Sequence, residues 1–354
     1  MSNSKHILVF RFSAMGDVAL VLPALKIVMD QHPDIKITLV TRKKFGVFFQ
    51  GYPQIEVFPA DFEGIHKGFT GLFRLFRELK KLNISHVIDL HQNLRTSVLK
   101  TFFALIGTGV RTLDKGRAAK KALTRKDNKI RETLPHSVAR YLEVFRKAGI
   151  IPSYTLPDHP VKYFVHSEES ANRVDKWLKQ ERINPGKLIG IAPFAQHQAK
   201  MWPVDKYKTL LDQLLIPYPE YTFLLFGGGD KEKSILDEIA AKDKRIVNMV
   251  GLFSLEDEIT LISSLQLMIC GDSSNMHLAT LNGVKVLSIW GATHTDAGFG
   301  PLGQGAGHVL EIPVSELTCR PCSVYGNKPC FRGDYACLNR ITPEMAAART
   351  TQLI

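Results

Sequence analysis

No stretch of the sequence approaches the roughly 20 consecutive apolar residues that a membrane-spanning helix needs. The most apolar candidate, TFFALIGTGV at 101–110, is about half that length. The first apolar run, Ile7–Phe10, is too short for the core of a secretory signal, and Arg11 interrupts it. A cytoplasmic protein is therefore expected. Familiar phosphate fingerprints are also missing. GGGDKE at 227–232 has neither the Gly-Lys-Ser/Thr of a P-loop nor the spacing of a dinucleotide-binding turn. No short repeat is present.

Cysteine is scarce, at five residues. Cys270 ends an apolar run. The other four, Cys319, Cys322, Cys330 and Cys337, form C-x2-C-x7-C-x6-C. A cytosolic chain rarely keeps disulfides. The set is read either as reduced thiols of a structural lobe or as a tetrahedral zinc site, although its second pair lacks the usual short spacing.

What is abundant is positive charge, a formal +12, and it is uneven. Between Arg111 and Arg131 nine Lys/Arg face only Asp114 and Asp127, a net +7. Such a segment is either a solvated face or a patch for an anionic partner: a phosphorylated acceptor, an anionic lipid surface or nucleic acid. No aromatics are interleaved with it and no binding module accompanies it, so nucleic acid is not the expected partner.

At 354 residues the chain is long enough for two domains. Apolar strand patterns alternate with helical ones from residue 6 to about 150, with strands at 6–12, 36–41, 55–60 and 85–90 and one helix over 18–29 after the first strand. IPSYTLPDHP at 151–160 breaks the pattern with three prolines. The alternation then restarts with strands at 187–194, 221–229, 245–251, 265–270 and 284–291 and helices between, one of them at 204–215. Strands apolar on both faces and separated by helices mean parallel sheets covered on both sides. The expected fold is α/β: two Rossmann-like doubly wound domains, 1–160 and 161–340, the second carrying the Cys-rich segment 319–337, with a closing helix in 341–354. Two such domains facing a central cleft would bind ligands at the carboxyl ends of their strands.

GDSSNMHLATLNG (271–283) puts Asp272, Ser273 and Ser274 at such a strand end, where a helix begins, with His277 one turn in. Free N–H groups and the positive end of a helix suit a diphosphate. Asp272 or Ser273 is read equally as a simple cap. The matching turn in the first half is RFSAMGD (11–17), where Gly16 allows close approach and Asp17 is placed to take a proton from a hydroxyl. Lys200, in AKMWP, is suited to a leaving phosphate. Asp230 and Glu232 are candidates for ribose hydroxyls.

Together these motifs resemble glycosyltransferase family 9, the heptosyltransferases of lipopolysaccharide core assembly. RFSAMGDVALVLPAL is similar to R-x-S-x-[ML]-G-D-[VI]…P-[AV]-L, and VIDLHQNLRTS (87–97) to D-L-x-x-x-x-R-S. AKMWP resembles K-x-W-P, and GDSSNMHLATLNGVKVLSIWGAT resembles D-[ST]-G-x-x-H-[LI]-A…G-x-P…G-x-T. The Cys-rich ending is also similar to that of many members. The resemblance implies a GT-B architecture and an inverting single displacement with no obligatory metal. It implies a nucleoside diphosphate donor, ADP-heptose above all, and an anionic lipid-linked saccharide acceptor at the inner-membrane surface, which the enzyme would contact peripherally. Carried over, Asp17 is the general base. Lys200, Ser273 and Ser274 bind the diphosphate, Asp272 and His277 hold the sugar and phosphate region, and Asp230 and Glu232 lie near the ribose. Arg11, Ser13, Gly16, Asp89 and Arg95, with Lys120, Lys121 and Arg125 from the basic segment, fall on the acceptor side. Two departures stand out: Ser274 replaces the usual Gly, and Lys285 the usual Pro. The same motifs leave two other readings open: a non-catalytic nucleotide-sugar or polyanion-binding protein, and a GT-B enzyme using another donor.

Overall fold

The computed structural model describes residues 5–354. The chain divides into two compact units. The first takes the chain as far as Lys115 and then Ser137–Leu156; the second takes Gly116–His136 and Pro157–Ile354.

The first unit is built on strands β1 (His6–Phe10), β2 (Lys36–Thr41), β3 (Ile55–Pro59), β4 (His86–Asp89) and β5 (Gly109–Thr112). All pair in parallel, in the order β3-β2-β1-β4-β5. Residues Ile7–Phe10 are fully buried, as a strand covered on both faces requires. Helices α1 (Met15–Ala19) and α2 (Val21–Gln31) stand where one helix is expected over 18–29. The break has a cause in Pro23. It lacks the N–H that would bond the Ala19 carbonyl, and its ring crowds that carbonyl. Helices α3 (Gly68–Lys80) and α4 (Leu94–Leu105) cover one face. Leu72, Leu75, Phe76 and Leu79 of α3 and Leu99 and Phe103 of α4 pack on Leu8, Phe10 and Val87. Asn93 starts α4 by accepting from the Thr96 amide at 2.9 Å. Helix α5 (Arg117–Leu123) belongs to the second unit, and α6 (Ser137–Lys147) returns to the first, where it packs with α2.

The second unit carries β6 (Leu188–Ala192), β7 (Thr222–Leu225), β8 (Ile246–Asn248), β9 (Leu267–Gly271), β10 (Lys285–Trp290) and β11 (Val309–Glu311). These form a parallel sheet in the order β11-β10-β9-β6-β7-β8. Its helices are α7 (Glu168–Gln180), α8 (Val204–Leu215), α9 (Gly229–Ala240), α10 (Leu255–Ile262), α11 (Ser274–Leu281), α12 (Ala336–Asn339) and α13 (Pro343–Leu353). Ser254 and Thr342 cap α10 and α13 as their sequence positions suggest. Trp202, fully buried, donates from Nε1 to the Ile341 carbonyl at 3.1 Å and so ties the start of α13 to the sheet.

The basic segment 116–136 makes its contacts within the second unit, although it precedes the proline-rich break. Leu123 and Leu134 pack on Ala297. Lys129 Nζ donates to the Pro321 carbonyl at 2.6 Å, and Arg131 donates to the carbonyls of Thr318 and Arg320 at 2.8 and 3.0 Å. The few apolar residues of a charged stretch thus decide where it docks. Among the described residues, no helix is long and apolar enough to cross a membrane.

Candidate functional site

In each sheet the direction of winding reverses once, between β1 and β4 in the first and between β6 and β9 in the second. At such a point the two neighbouring crossovers leave in opposite directions and open a crevice at the carboxyl ends of the strands.

At the first of these points the turn after β1 places Arg11 and Asp17 together. Arg11 Nη2 lies 2.6 Å from Asp17 Oδ2, and Nη1 donates to the Leu90 carbonyl, beyond β4, at 2.6 Å. The guanidinium is buried, while the carboxylate is 36% exposed at its side chain. It therefore reaches solvent on a buried support. Tyr141 completes that support: its ring lies 5.6 Å from the Arg11 guanidinium, and its hydroxyl donates to the Asp17 carbonyl at 3.3 Å. The neighbouring Tyr141 and Asp17 hold the Arg11 pKa up although burial opposes it. Asp89, fully buried at the end of β4, accepts from the amides of His91 and Gln92 at 3.0 and 2.8 Å and faces Lys100 at 3.6 Å. Asp89 is thus a turn-former. Burial, reinforced by Arg11, pushes His91 down to about 3, so it is neutral at working pH. Arg95 is exposed on the first turn of α4 with its guanidinium over Phe62. Ser13 is half-buried and Gly16 buried.

At the second point Lys200 and Asp272 meet. Lys200 Nζ is 2.8 Å from Asp272 Oδ2, with the two side chains only 16% and 6% exposed. Lys200 comes from the turn after β6 and Asp272 from the end of β9, so the pair bridges the reversal. Ser273 precedes α11 without capping it, and its buried hydroxyl has no hydrogen-bond partner among the described residues. Ser274 opens α11 and His277 is buried one turn in. An unpartnered hydroxyl and the opening amides of a helix are groups that suit an anion, and the Lys200–Asp272 pair lies beside them. Of the ribose candidates, Asp230 is exposed, whereas Glu232 accepts from the Gly228 amide at 2.7 Å and closes the start of α9.

Two glycines that sequence reasoning did not single out hold Lys200. A Cβ on Gly271 would stand 2.7 Å from the Lys200 carbonyl. A Cβ on Gly326, whose φ is +72°, would stand 2.6 Å from Lys200 Cγ. Gly326 lies in the Cys-rich lobe, so that lobe supports the candidate donor site. No spacing rule points to such a contact.

One expectation needs correction, and one open alternative narrows. Lys120 is buried, with Nζ 4.3 Å from the centre of the Phe299 ring, so it is not a free cation of the basic patch. The exposed row is Arg117, Lys121 and Arg125, spaced four residues apart. The cysteines are free thiols, and among the described residues no three His, Cys, Asp or Glu side chains are placed to hold a metal ion. Cys337 packs into the sheet core, away from a shared ligand position, and burial pushes its thiol up to about 12. The residues do not fit a zinc site. A cavity of about 420 Å³ lined by Thr133, His136, Gly300, Gln304 and Glu311 involves none of the expected donor residues.

The family model of glycosyltransferase family 9 (heptosyltransferase) matches residues 72–328, well over half of the chain. The chain belongs to this family. As a family 9 protein it is a glycosyltransferase. It is 22% identical over 294 residues to the lipopolysaccharide core heptosyltransferase OpsX of Haemophilus influenzae, covering 81% of this chain and 79% of that one. Among solved structures, the family 9 glycosyl transferase of Veillonella parvula superposes with a TM-score of 0.75 at 20% identity, over 100% of this chain and 98% of that one. The Escherichia coli heptosyltransferase WaaC with ADP superposes with a TM-score of 0.67 at 18% identity, over 99% and 100%. The two wound halves and these likenesses agree with the GT-B fold that the family resemblance implies.

Proposed function

We propose that this glycosyltransferase moves a heptose from ADP-heptose to an anionic, lipid-linked saccharide of the lipopolysaccharide-core type, with inversion at the anomeric carbon. The observation that carries the donor assignment is the buried Lys200–Asp272 pair beside the uncapped start of α11. The second unit holds the donor: Lys200, the Ser273 and Ser274 hydroxyls and the amides opening α11 take the diphosphate. Asp272 and His277 take the sugar side, and Asp230 and Glu232 lie toward the ribose. The first unit serves the acceptor. Asp17 accepts the proton of the attacking hydroxyl, whose oxygen forms the new bond to the anomeric carbon as the bond to the diphosphate breaks. The ADP leaves with that electron pair, and Lys200 balances its charge. Arg11 orients Asp17 as a positioning residue. Ser13, Gly16, Asp89 and Arg95 shape the acceptor side, and Lys121, Arg125 and the adjacent Arg117 attract the acceptor's anionic groups. An anionic acceptor embedded in a bilayer places the enzyme at the cytoplasmic face of the inner membrane.

The experiment is a transfer assay across nucleotide sugars with lipopolysaccharide-core acceptors. Transfer from ADP-heptose above all others supports the reading; transfer only from another donor refutes the donor assignment.

A further inference from the structure

Helix α3 is amphipathic, yet its outer face is not polar. Leu72, Leu75, Phe76 and Leu79 face the sheet and are buried. On the opposite side Phe69 and Phe73 are 66% and 46% exposed. The neighbouring α4 ends in the same way, with Leu105 at 78% and Ile106 at 45%. Phe102 joins the two helices: its ring centre lies 5.8 Å from that of Phe69 and 5.6 Å from that of Phe73. Phe102, Leu105 and Ile106 follow at i, i+3 and i+4, one side of α4. The result is a continuous aromatic and aliphatic shelf on one face of the first unit. An outward helix face is normally solvated and polar, and contiguous exposed apolar surface of this kind marks a contact surface.

The shelf has a cationic border. Lys67 precedes α3, and Arg77, Lys80 and Lys81 lie at its far end, all exposed. None of these four is ion-paired among the described residues. Arg77 also continues the stripe of Phe69 and Phe73 at four-residue spacing. The one acid of α3, Glu78, is taken up by Arg74 and His66, each at 3.1 Å. Cations in a last turn complement the helix dipole in any protein, so the aromatic half carries the argument and the charge selects the occupant.

We infer that this shelf is a membrane-contacting surface. Phe69, Phe73, Phe102, Leu105 and Ile106 enter the boundary between headgroups and acyl chains of an anionic bilayer. Lys67, Arg77, Lys80 and Lys81 meet its phosphates, their aliphatic stems lying along the apolar surface. Charge complementarity selects a lipid surface over a second copy of this chain, which would bring the same cations together. The inference draws on the proposed lipid-linked acceptor for its setting, but it concerns a different surface from the donor and base residues.

The test is co-sedimentation of the full chain with vesicles of phosphatidylglycerol and phosphatidylcholine, against phosphatidylcholine alone. The wild type binds the mixed vesicles and not the neutral ones. F69S/F73S loses about tenfold in vesicle affinity per ring, and K80Q/K81Q about fivefold per charge. Both variants keep the wild-type melting temperature and far-ultraviolet circular dichroism spectrum. Equal binding of F69S/F73S and wild type overturns the inference, as does equal binding to both vesicle types. A wild-type dimer in light scattering that F69S/F73S turns into a monomer also overturns it, and assigns the shelf to self-association. The vesicles contain neither donor nor acceptor, so failure of the donor assignment leaves this result untouched.

Discussion

Arg11 and Asp17 form an ion pair of 2.6 Å in which the cation is buried and the carboxylate opens to solvent. The same guanidinium holds the Leu90 carbonyl, so one fork joins the ends of β1 and β4 and aims the carboxylate. A lysine keeps the charge but cannot span both partners. Arg11→Lys is therefore expected to lower kcat by about tenfold or more and to destabilise the fold by about 1–3 kcal/mol, leaving the Kd for donor unchanged. Stopped assays, calorimetric titration and a thermal melt check the three parts. Wild-type kcat in this variant would remove the positioning role.

Removing Lys200 strands the Asp272 carboxylate, which is only 6% exposed. Lys200→Met should weaken donor affinity by about 2–5 kcal/mol and also lower Tm. Combining it with Asp272→Asn should recover much of the Tm but not the donor affinity. A double-mutant cycle read by both measurements separates the two effects.

Gly271 is needed because its missing Cβ makes room for the Lys200 carbonyl. Gly271→Ala forces that carbonyl to move. The expected outcome is a loss of about 1–3 kcal/mol in stability together with a higher donor Kd. A stability loss with unchanged donor Kd would detach the glycine from the site.

Much of this fold is legible in the sequence. Strand 36–41 and helix 204–215 are found as their patterns predict, because continuous apolar runs and clean 3.6-residue periodicity leave little choice. The turns 11–17 and 271–277 are found at strand ends for the same reason. β5 and β11 leave no clear sequence pattern because they are edge strands of four and three residues with half-exposed patterns. The docking of 116–136 depends on Leu123 and Leu134 finding Ala297, a contact far apart in sequence that no local pattern encodes. Lys120 reads as one more surface cation until its aromatic partner, Phe299, is known.

His91 stays neutral in the folded chain because burial and the Arg11 cation push it down to about 3. An unfolded histidine titrates near 6.5. Between these values the unfolded state binds the extra proton, so stability falls as pH drops from about 6.5 toward 3. The slope from this group is at most about 1.4 kcal/mol per pH unit, less for the part of the ring that water reaches. Thermal melts of wild type and His91→Gln should diverge in that window and run parallel above it. Parallel melts throughout would show that His91 titrates normally.

Ser274 stands where the family usually has glycine, at the first residue of α11. Ser274→Gly removes a Cβ and a hydroxyl from the proposed diphosphate site, and costs about 0.5 kcal/mol of helix stability. Donor preference should shift measurably across a panel of nucleotide sugars. An identical ranking before and after would show that the serine does not face the donor.

The central claim is that Asp17 is the base and the second unit binds the donor without it. The decisive measurement pairs donor titration with heptosyl transfer in Asp17→Asn. The expected result is an ADP-heptose Kd within about twofold of wild type and a transfer rate lower by about 10²–10⁴-fold. Undiminished transfer, or donor binding lost along with it, would contradict the account.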